Sequence, residues 1–522
     1  MRSAHRGVLI VDFGTQYCQL IARRIRELSV FSEICTPEQA LKALGSGRYG
    51  ALILSGGPRS VYERDAPRLD PSVLDYGLPM LGICYGMQWT AHTLGGEVVA
   101  AHDAAGREYG NATFSHDAGA DHPLLKNVPA TSQVWMSHGD EVRALPAGFE
   151  KVGQTQSCAF AAAWNPDRRI ALLQFHPEVT HSIYGDKVLQ NFVFGVAGLT
   201  ADWNSGSIED DTIAALREQI GADGEVVLGL SGGVDSSVAA MLIHKAIGDR
   251  LHCVFVDNGL LRHGEREGVE ALFGRNFHMN LEVVDASEQF LADLAGVSDP
   301  ETKRKRIGHR FVEVFREAAK KHRRAHFLGQ GTLYPDVIES VAAHGGATST
   351  IKSHHNVGGL PEDLDMELVE PLRTLFKDEV RALGRSMGLP PEVIDRQPFP
   401  GPGLAVRIVG DITKERCDAL RKADHIFTSE VEAAGAHTSL WQYFAVLLPT
   451  VHSVGVMGDA RTYENPVVLR VVESNDAMTA DWSYLPEGLL RRVSNRIINE
   501  CAGINRVTLD ITSKPPGTIE WE

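Results

Sequence analysis

The chain has 522 residues, a length that corresponds to about three or four domains of ordinary size. Its content of 43% hydrophobic and 23% charged residues is typical of a globular protein with well-filled cores. Acidic residues number 67 against 51 basic ones, and the resulting net charge of −16 argues against a protein that coats a nucleic-acid polymer or an anionic membrane.

Apolar runs, glycine-containing loops and helical patterns alternate through the first part of the chain. Val8–Asp12, Ala51–Leu54 and Leu78–Ile83 have the pattern of buried strands, and Gln16–Leu28 has the apolar spacing of a helix. Strands that end in glycine loops and lead into helices usually pair in parallel. We therefore predict a doubly wound α/β domain, followed by a linker of small and polar residues at 198–207.

The same alternation restarts after the linker. Three further strands and two helices are predicted, at Val226–Leu230, Leu251–Asp257, Leu281–Val284, Ser236–Ala246 and Lys377–Met387. A second seam, rich in proline and glycine, follows at Gln397–Gly403. Beyond it, the helical segment Leu485–Cys501 mixes with alternating strands at Val467–Val472 and Val507–Ile511. The sequence thus predicts two doubly wound parallel-sheet α/β domains and a small α+β domain, with bounds 1–203, 204–397 and 398–522.

Cysteine usage and the N-terminal region bear on the compartment. Seven cysteines are spread along the chain without a C-x-x-C pair, so neither a disulfide framework nor a thiolate zinc site is indicated. The apolar run Val8–Val11 is too short for a signal peptide, and no stretch of about 18 apolar residues occurs elsewhere. We expect a reduced, cytoplasmic protein.

A candidate nucleophile lies in Gly82–Gly86, whose sequence GICYG follows a predicted strand and precedes a helix. In such an elbow the glycines leave room for a tight turn, and the helix N-terminus favours the thiolate of Cys84. His176 and Glu178 end another apolar run and suit a general base and its orienting carboxylate. His138 ranks below His176, because no carboxylate follows it in the same pattern. The alternatives are a structural cysteine and a core histidine.

The loop Ser55–Pro58 follows a strand and suits the binding of an oxyanion by backbone N–H groups, although a plain turn is the alternative. This loop, the elbow and the segment Gln174–Glu178 (QFHPE) resemble class I glutamine amidotransferases. The resemblance implies that Cys84 attacks the side-chain amide of glutamine, giving a glutamyl thioester and ammonia. It also implies oxyanion and glutamine contacts from Gly57, Tyr85 and Gln88.

A second constellation, Ser231–Ser237 (SGGVDSS), follows a predicted strand and opens a helix. Glycines let the backbone close on an anion, which the N–H groups and the helix dipole attract. Asp235, the only carboxylate of the loop, is the natural magnesium ligand. The loop is not a Walker A motif and resembles that of the N-type ATP pyrophosphatases, as Asp257–Gly259 resembles their adenine-side segment. The resemblance implies ATP contacts from Ser231, Gly232, Gly233, Val234, Asp235, Ser236, Ser237 and Val256.

Two further segments combine charged and polar groups. The basic run Lys303–Arg306 is interpreted as local phosphate contacts, with a solvated helix face as the alternative. Asp336 and Glu339 precede the cationic Lys352. We predict that this stretch is a lid that closes over ATP, and the alternative is a flexible polar loop.

The C-terminal third carries further motifs, at Gln397–Gly403, Val454–Asp459, Ser494–Asn499 and Lys514–Glu522. With the two preceding sites they resemble the glutamine-hydrolysing GMP synthase family over essentially the full length. The resemblance implies that XMP attacks the α-phosphate of magnesium-bound ATP, and that ammonia then displaces AMP from adenylyl-XMP to give GMP. It also implies Mg²⁺ as cofactor, a homodimer formed through the C-terminal domain, and XMP contacts from Arg304, Gln442, Lys514, Thr518, Ile519 and Glu520.

Three other functions fit the sequence less well. Another amidating ligase, such as a NAD synthase, would share the phosphate loop, but the amidotransferase triad and the C-terminal tail argue against it. A tRNA thiolase would need catalytic cysteine pairs near the loop, and the sequence has none there. A glutamine-sensing binding protein would not need intact Cys84, His176, Glu178 and Asp235.

Overall fold

The computed structural model describes residues 6–100, 107–117, 119, 122–343, 366–457, 460–474 and 479–522, with side chains except at 339–343 and 457. The chain divides into two compact units, Met1–Asp211 and Thr212–Glu522. One helix, α5 (Ser205–Ile220), runs across this division in the sequence. None of the described helices is both long and apolar enough to cross a membrane.

The first unit is built on a large mixed sheet. The strands of this unit are β1 (Gly7–Val11), β2 (Ser32–Cys35), β3 (Tyr49–Leu54), β4 (Met80–Ile83), β5 (Glu97–Ala100), β6 (Glu108–His116), β7 (Thr131–His138), β8 (Asp140–Ala144), β9 (Glu150–Gln154), β10 (Ala162–Asn165) and β11 (Ile170–Leu173). Its other helices are α1 (Cys18–Glu27), α2 (Ala40–Leu44), α3 (Tyr85–Thr93) and α4 (Gly185–Gln190). The sheet order is β2-β1-β3-β4-β11-β10-β9-β6-β7, and β5 pairs separately with β8.

One half of this sheet is parallel and the other is antiparallel. Strands β2, β1, β3, β4 and β11 pair in parallel, as the glycine-loop pattern predicts. Every residue of β1, β3 and β4 is buried, as expected for a parallel sheet that is covered on both faces. The antiparallel half, β10, β9, β6 and β7, adds to the predicted doubly wound domain. Since β4 and β11 are parallel neighbours, the residues that follow them leave the sheet at the same edge.

The second unit contains two sheets. Its strands are β12 (Glu225–Gly229), β13 (Leu251–Asp257), β14 (Asn280–Asp285), β15 (Ala325–Gly329), β16 (Glu367–Val369), β17 (Gln442–Leu447), β18 (Ser453–Met457), β19 (Ala460–Glu473), β20 (Asp481–Trp482) and β21 (Ile504–Asp510). Its helices are α6 (Val234–Ile247), α7 (Glu265–Val269), α8 (Ser287–Leu294), α9 (Pro300–Lys321), α10 (Tyr334–Ala343), α11 (Lys377–Ser386), α12 (Pro391–Ile394), α13 (Lys414–Ala433) and α14 (Glu487–Glu500).

The first of these sheets is parallel throughout, with the order β14-β13-β12-β15-β16. The second is the α+β part, in which β17, β18, β20 and β21 all pair with the long central strand β19. One hydrophobic core joins the two sheets, and it includes Val227 and Val254 from the parallel sheet with Leu420 and Phe427 from α13. The domain bounds given above remain predictions.

Candidate active sites

Cys84 lies at a strained turn between β4 and α3. Its φ of +50° falls in the left-handed region that residues other than glycine rarely adopt. The glycines beside it are required by close approach, because a Cβ at Gly82 would lie 2.8 Å from the carbonyl oxygen of Gly86. A Cβ at Gly86 would overlap the carbonyl of Leu54. The turn therefore has the form of a nucleophile elbow, with Cys84 at the N-cap of α3.

His176 and Glu178 follow β11 and form a buried pair beside the thiol. The Nδ1 of His176 lies 2.7 Å from Oε1 of Glu178, and the ring also hydrogen-bonds Cys84. Burial alone would lower the pKa of His176, but the charge of Glu178 and the hydrogen bonds to Cys84 and Glu178 raise that pKa well above its ordinary value. A protonated imidazole beside the thiol favours the thiolate, which is the nucleophilic form.

Two further polar groups, one directly after β11 and one on β7, also contact the sulfur. The Nε2 of Gln174 lies 3.6 Å from Sγ of Cys84, and Sγ lies 3.6 Å from the carbonyl oxygen of Ser137. Gln174 is fully buried, so its amide donates toward the sulfur in the absence of competing solvent. No role for Gln174 could be predicted from the sequence, because the pairing of β4 with β11 that brings it to Cys84 is not visible in the local sequence.

The residues assigned to the oxyanion and to glutamine lie around the first turn of α3. Tyr85 is the first residue of this helix, so its backbone N–H has no acceptor within the helix. A Cβ at Gly57 would lie 3.2 Å from Cγ of Tyr85, so the Gly57 backbone lies against the start of the helix. Gln88 donates from Nε2 to the carbonyl oxygen of Asp140 at 2.9 Å. Backbone donors and a fixed amide thus surround the N-terminal turn next to Cys84.

His138 makes contacts that differ from those of His176. Its Nδ1 lies 3.0 Å from the carbonyl oxygen of Asp140, and its Nε2 lies 3.6 Å from Oε2 of Glu108. Burial lowers the pKa of His138, which favours the neutral ring. Glu108 lies on β6, so this carboxylate was not indicated by the sequence around His138. The ring is engaged by its own segment and by β6, whereas His176 bonds the thiol.

The segment Ser231–Ser237 forms a loop and the first turn of α6. Gly232 has a φ of +73°, a conformation that glycine adopts without strain. The hydroxyl oxygens of Ser231 and Ser236 lie 2.9 Å apart and fasten the two ends of the loop to each other. The first N–H groups of α6 have no acceptor within the helix and lie at the positive end of its dipole. This arrangement is suited to phosphate binding.

Asp235 has one oxygen engaged and one not. Its Oδ2 forms an ion pair with Lys377 on α11, whereas Oδ1 is buried and has no hydrogen-bond partner among the described residues. Mg²⁺ prefers oxygen ligands, and in nucleotide sites one or two carboxylates usually hold it together with phosphate oxygens. The described parts of the chain contain no group of three or more potential metal ligands. The free oxygen of Asp235 therefore fits a magnesium ion that arrives with a nucleotide.

The strand beside the phosphate loop ends in a second loop. Val256 is buried in β13, and Oδ1 of Asp257 accepts from the N–H of Gly259 at 3.0 Å. Arg266 donates to Oδ2 of the same carboxylate at 3.2 Å. Because β12 and β13 are parallel neighbours, this loop and the phosphate loop lie at the carboxyl edge of one sheet. Ligands of open α/β sheets bind at that edge.

The predicted lid falls partly within the described residues. Oδ2 of Asp336 accepts from the N–H of Leu333 at 3.1 Å, so this carboxylate satisfies a donor at the start of α10. Gly331 lies against the phosphate loop, since a Cβ there would be 3.2 Å from the carbonyl carbon of Asp235. The side chain of Glu339 and the whole of Lys352 lie outside the described residues.

The basic run 303–306 lies on α9, and its members make different contacts. Lys303 is fully buried, donates to the carbonyl oxygen of Ile408 at 2.7 Å and forms an ion pair with Glu522. Arg306 donates to the carbonyl oxygen of Asp293 at 2.6 Å. The run is therefore neither a uniformly solvated face nor a uniform phosphate patch, because its residues contact different parts of the fold.

Two of the residues assigned to XMP meet the C-terminal tail from distant parts of the chain. Arg304 donates to the carbonyl oxygen of Glu522 at 2.5 Å, and Nε2 of Gln442 lies 3.4 Å from Oε1 of Glu520. Arg407 donates to both carboxylate oxygens of Glu520, at 3.1 and 2.9 Å. Arg407 could not be predicted from the sequence, because only the fold brings this buried guanidinium to the tail.

The remaining tail residues are fixed through their main chain. The N–H of Lys514 donates to the carbonyl oxygen of Ala480 at 2.7 Å. The carbonyl oxygens of Thr518 and Ile519 accept from the buried Arg470 at 3.1 and 3.4 Å. An open cavity of about 570 Å³ adjoins the tail, lined among others by Thr508, Asp510, Thr512, Thr518, Glu520 and Trp521. A cavity of this size is large enough for a nucleotide.

Three segments of the chain match known protein families. Residues 9–196 match the class-I glutamine amidotransferases, and residues 210–302 match the NAD synthase family. Residues 429–521 match the C-terminal domain of GMP synthase. These matches follow the same order along the chain as the elbow, the phosphate loop and the tail.

Curated relatives are similar along the whole length. The GMP synthase (glutamine-hydrolyzing) of Maridesulfovibrio salexigens is 56% identical over 99% of this chain and 99% of its own length. The protein of the same name from Thermomicrobium roseum is 56% identical over 99% of this chain and 96% of its own. That from Heliobacterium modesticaldum is 53% identical over 100% of both chains.

Proposed function

The chain belongs to the glutamine-hydrolysing GMP synthase family, and on that premise we propose that it converts XMP, ATP, glutamine and water into GMP, AMP, pyrophosphate and glutamate. The observation that carries this conclusion is the identity of 53% to 56% along the full length to relatives of that name. The chain is accordingly a carbon–nitrogen ligase whose reaction divides into two halves, one at the elbow and one at the phosphate loop.

The first half-reaction takes place at Cys84. Its thiolate attacks the carboxamide carbon of glutamine, and the protonated His176 gives its proton to the departing amine, so that ammonia leaves and a glutamyl thioester remains. His176 then takes a proton from the water that hydrolyses the thioester to glutamate. The backbone N–H groups of Gly57 and Tyr85 bind the oxyanion, and Gln88 contacts the substrate. The 2.7 Å pair of His176 with Glu178 supports these roles.

The second half-reaction takes place at Ser231–Ser237. The O2 of XMP attacks the α-phosphorus of ATP, and the bond between this phosphorus and the oxygen of the β-phosphate breaks. The N–H and hydroxyl groups of the loop bind the departing pyrophosphate. Ammonia then attacks C2, and AMP departs as the leaving group. Asp235 would hold Mg²⁺, which when bound supplies neutralisation of phosphate charge. The buried Oδ1 of Asp235, which has no hydrogen-bond partner in the described part of the chain, supports this assignment.

We assign XMP to the C-terminal tail. Lys514 suits its phosphate and Glu520 suits hydrogen atoms of the base or ribose. Arg304 and Gln442 are the further candidate ligands, and the contacts of both with the tail support their place in this site. Thr518 and Ile519 complete the site as neighbours of Glu520.

We also propose that the chain forms a homodimer through its C-terminal part. The hairpin of β18 and β19 carries Val454 and Tyr463 directly opposite each other, with Val456 two residues along the same face. These side chains are 53%, 62% and 76% exposed in the order Val454, Tyr463, Val456. A patch of exposed apolar side chains is the usual mark of a protein interface.

The expected compartment is the cytoplasm. The seven cysteines are all free, which suits the reducing conditions there.

One observation favours a different acceptor. Residues 210–302 match the NAD synthase family, so the phosphate-loop region is shared with ligases that amidate another substrate. The two functions are separated by the acceptor that supports AMP release. With XMP, glutamine and magnesium-bound ATP, the purified chain should give one AMP, one pyrophosphate and one glutamate for each GMP. AMP release with deamido-NAD and none with XMP would overturn the proposal.

A further inference from the structure

Three successive carbonyl groups in the loop after β13 accept hydrogen bonds from the C-terminal part of the chain. Arg421 on α13 donates from Nη2 to Gly259 at 2.6 Å and from Nε to Leu261 at 2.8 Å. Between them, the carbonyl of Leu260 accepts from the N–H of Leu404 at 2.9 Å. The loop is thus held along its main chain by residues more than a hundred positions away in the sequence.

The backbone around these contacts leaves little freedom. Gly403 has a φ of +63°, and a Cβ there would overlap the carbonyl of Leu260. Gly259 has a φ of +73°, and a Cβ there would lie 3.0 Å from Cβ of Ser287. Both glycines allow a close approach that other residues would prevent. The loop therefore fits tightly between α8 and the segment that begins at Gly403.

The helix that carries Arg421 is itself anchored to the C-terminal sheet. Asp424, three residues further on α13, accepts from the N–H of Ala445 on β17 at 2.9 Å. Leu420 and Phe427 of the same helix are fully buried in the shared core. Arg421 therefore reaches the loop from a fixed base rather than from a mobile surface segment.

We infer that Arg421 is a positioning residue for ATP, which holds the loop Asp257–Gly259 in the conformation that receives the adenine. The inference rests on the proposed function, because that function requires ATP and the resemblance to the N-type ATP pyrophosphatases implies that this loop lies on the adenine side. A guanidinium that donates to two main-chain carbonyls fixes both peptide planes, and hydrogen bonds from charged donors are stronger than neutral ones. Preorganisation of this kind favours nucleotide binding and leaves the later chemical steps unchanged.

The test compares Arg421→Met with Arg421→Lys in the ammonia-driven reaction at saturating XMP. We expect the KM for ATP to rise about tenfold in Arg421→Met, which is the loss of about one good hydrogen bond. The KM for XMP and kcat should stay within about twofold of the wild type, since the hydrogen bonds of Arg421 go to Gly259, Leu261 and Asp418 and not to the residues assigned to XMP. Arg421→Lys can restore one of the two bonds and should give an intermediate KM for ATP.

Arg416→Met is the matched control, since Arg416 lies on the same helix but donates to Asp411 instead of the loop. It should leave both KM values unchanged. An unchanged KM for ATP in Arg421→Met, in an otherwise active and folded enzyme, would overturn the inference. If Arg421→Met does not fold, the KM for ATP of Arg421→Lys is the test, and an unchanged value would overturn the inference. Failure of the wild type to make GMP would instead contradict the proposed function.

Discussion

The Nδ1 of His176 lies 2.7 Å from Oε1 of Glu178, in the interior of the first unit. The two residues are only 3% and 1% exposed, so solvent does not screen the charge of Glu178. Because Cys84 bonds the same imidazole, the carboxylate, the ring and the thiol form one hydrogen-bonded triad. The contacts of this triad explain why the pKa of His176 is raised although burial acts against it.

The first prediction concerns Glu178 as the orienting group. Glu178→Gln should lower kcat for glutamine hydrolysis by about a hundredfold or more, because the imidazole loses the charge that orients it and favours its protonated form. Ammonia-driven GMP synthesis should remain at the wild-type rate. Glutamate release and GMP formation measure the two activities, and the exposed Glu38→Gln serves as the control. An equal loss of both activities would contradict the assignment.

The raised pKa of His176 also predicts how stability depends on pH. A histidine whose pKa is higher in the folded than in the unfolded state adds stability that is complete below the unfolded value of about 6.5 and is lost as the pH rises through the folded value. The wild type should therefore exceed Glu178→Gln in free energy of unfolding by a margin that shrinks above about pH 6.5. Urea unfolding of the two proteins across this range measures the margin, and a margin that grows with pH would contradict the account.

The elbow predicts a steric limit at Gly86. Gly86→Ala should destabilise the first unit by about 3 kcal/mol, because the new methyl group overlaps the carbonyl of Leu54. Gly119→Ala is the control, since a Cβ at that position meets no atom of the described residues within 4 Å. Urea unfolding together with glutaminase activity provides the measurement. Equal stability of the two variants would show that the turn is not tightly packed.

A further prediction separates Asp235 from the glutaminase site. Asp235→Asn should lower pyrophosphate release by about a hundredfold or more with either glutamine or ammonia, since the amide cannot replace a charged magnesium ligand. Raising the Mg²⁺ concentration should recover part of the rate. The exposed Asp223→Asn is the control and should behave as the wild type. Unimpaired ATP cleavage by Asp235→Asn at ordinary Mg²⁺ would exclude Asp235 as the ligand.

Glu520 links the predicted XMP site to the core. Glu520→Gln should reduce the free energy of unfolding by about 2 kcal/mol, because it weakens two charged hydrogen bonds of the buried Arg407 and leaves Asp424, at 4.0 Å, as the remaining counter-charge of this guanidinium. The KM for XMP should rise while the KM for ATP stays unchanged. Glu487→Gln, on the exposed face of α14, is the control. A loss of stability without any change in the KM for XMP would limit Glu520 to a structural role.

The fold could be predicted from the sequence wherever local pattern decides it. The parallel strands at Val8–Asp12, Ala51–Leu54 and Val226–Leu230 correspond within one to two residues to β1, β3 and β12, since long apolar runs between glycine loops have few other structures. The antiparallel half of the first sheet gave no such signal. The first six residues of β6 alternate between half-buried and exposed positions, so this strand forms because of its pairing with neighbouring strands and not because of a buried apolar run.

The candidate sites show the same limit. Cys84 and Asp235 lie in short motifs whose geometry depends on the adjacent glycines, and both could be proposed as site residues from the sequence. Lys377 and Arg407 could not, because their carboxylate partners lie 142 and 113 positions away along the chain. The bounds of α9 were not predicted, and a helix was only the alternative interpretation of its basic run, although the buried residues of α9 recur at helical spacing.

The central claim is that one chain holds two separate sites, and that ammonia released at the first site is consumed at the second. The most direct measurement is GMP formation by Cys84→Ala with glutamine and, in parallel, with an ammonium salt, each with XMP and magnesium-bound ATP. The account predicts that glutamine no longer supports GMP formation, whereas the ammonium salt supports it at the wild-type rate. An equal loss with both nitrogen sources would contradict the account.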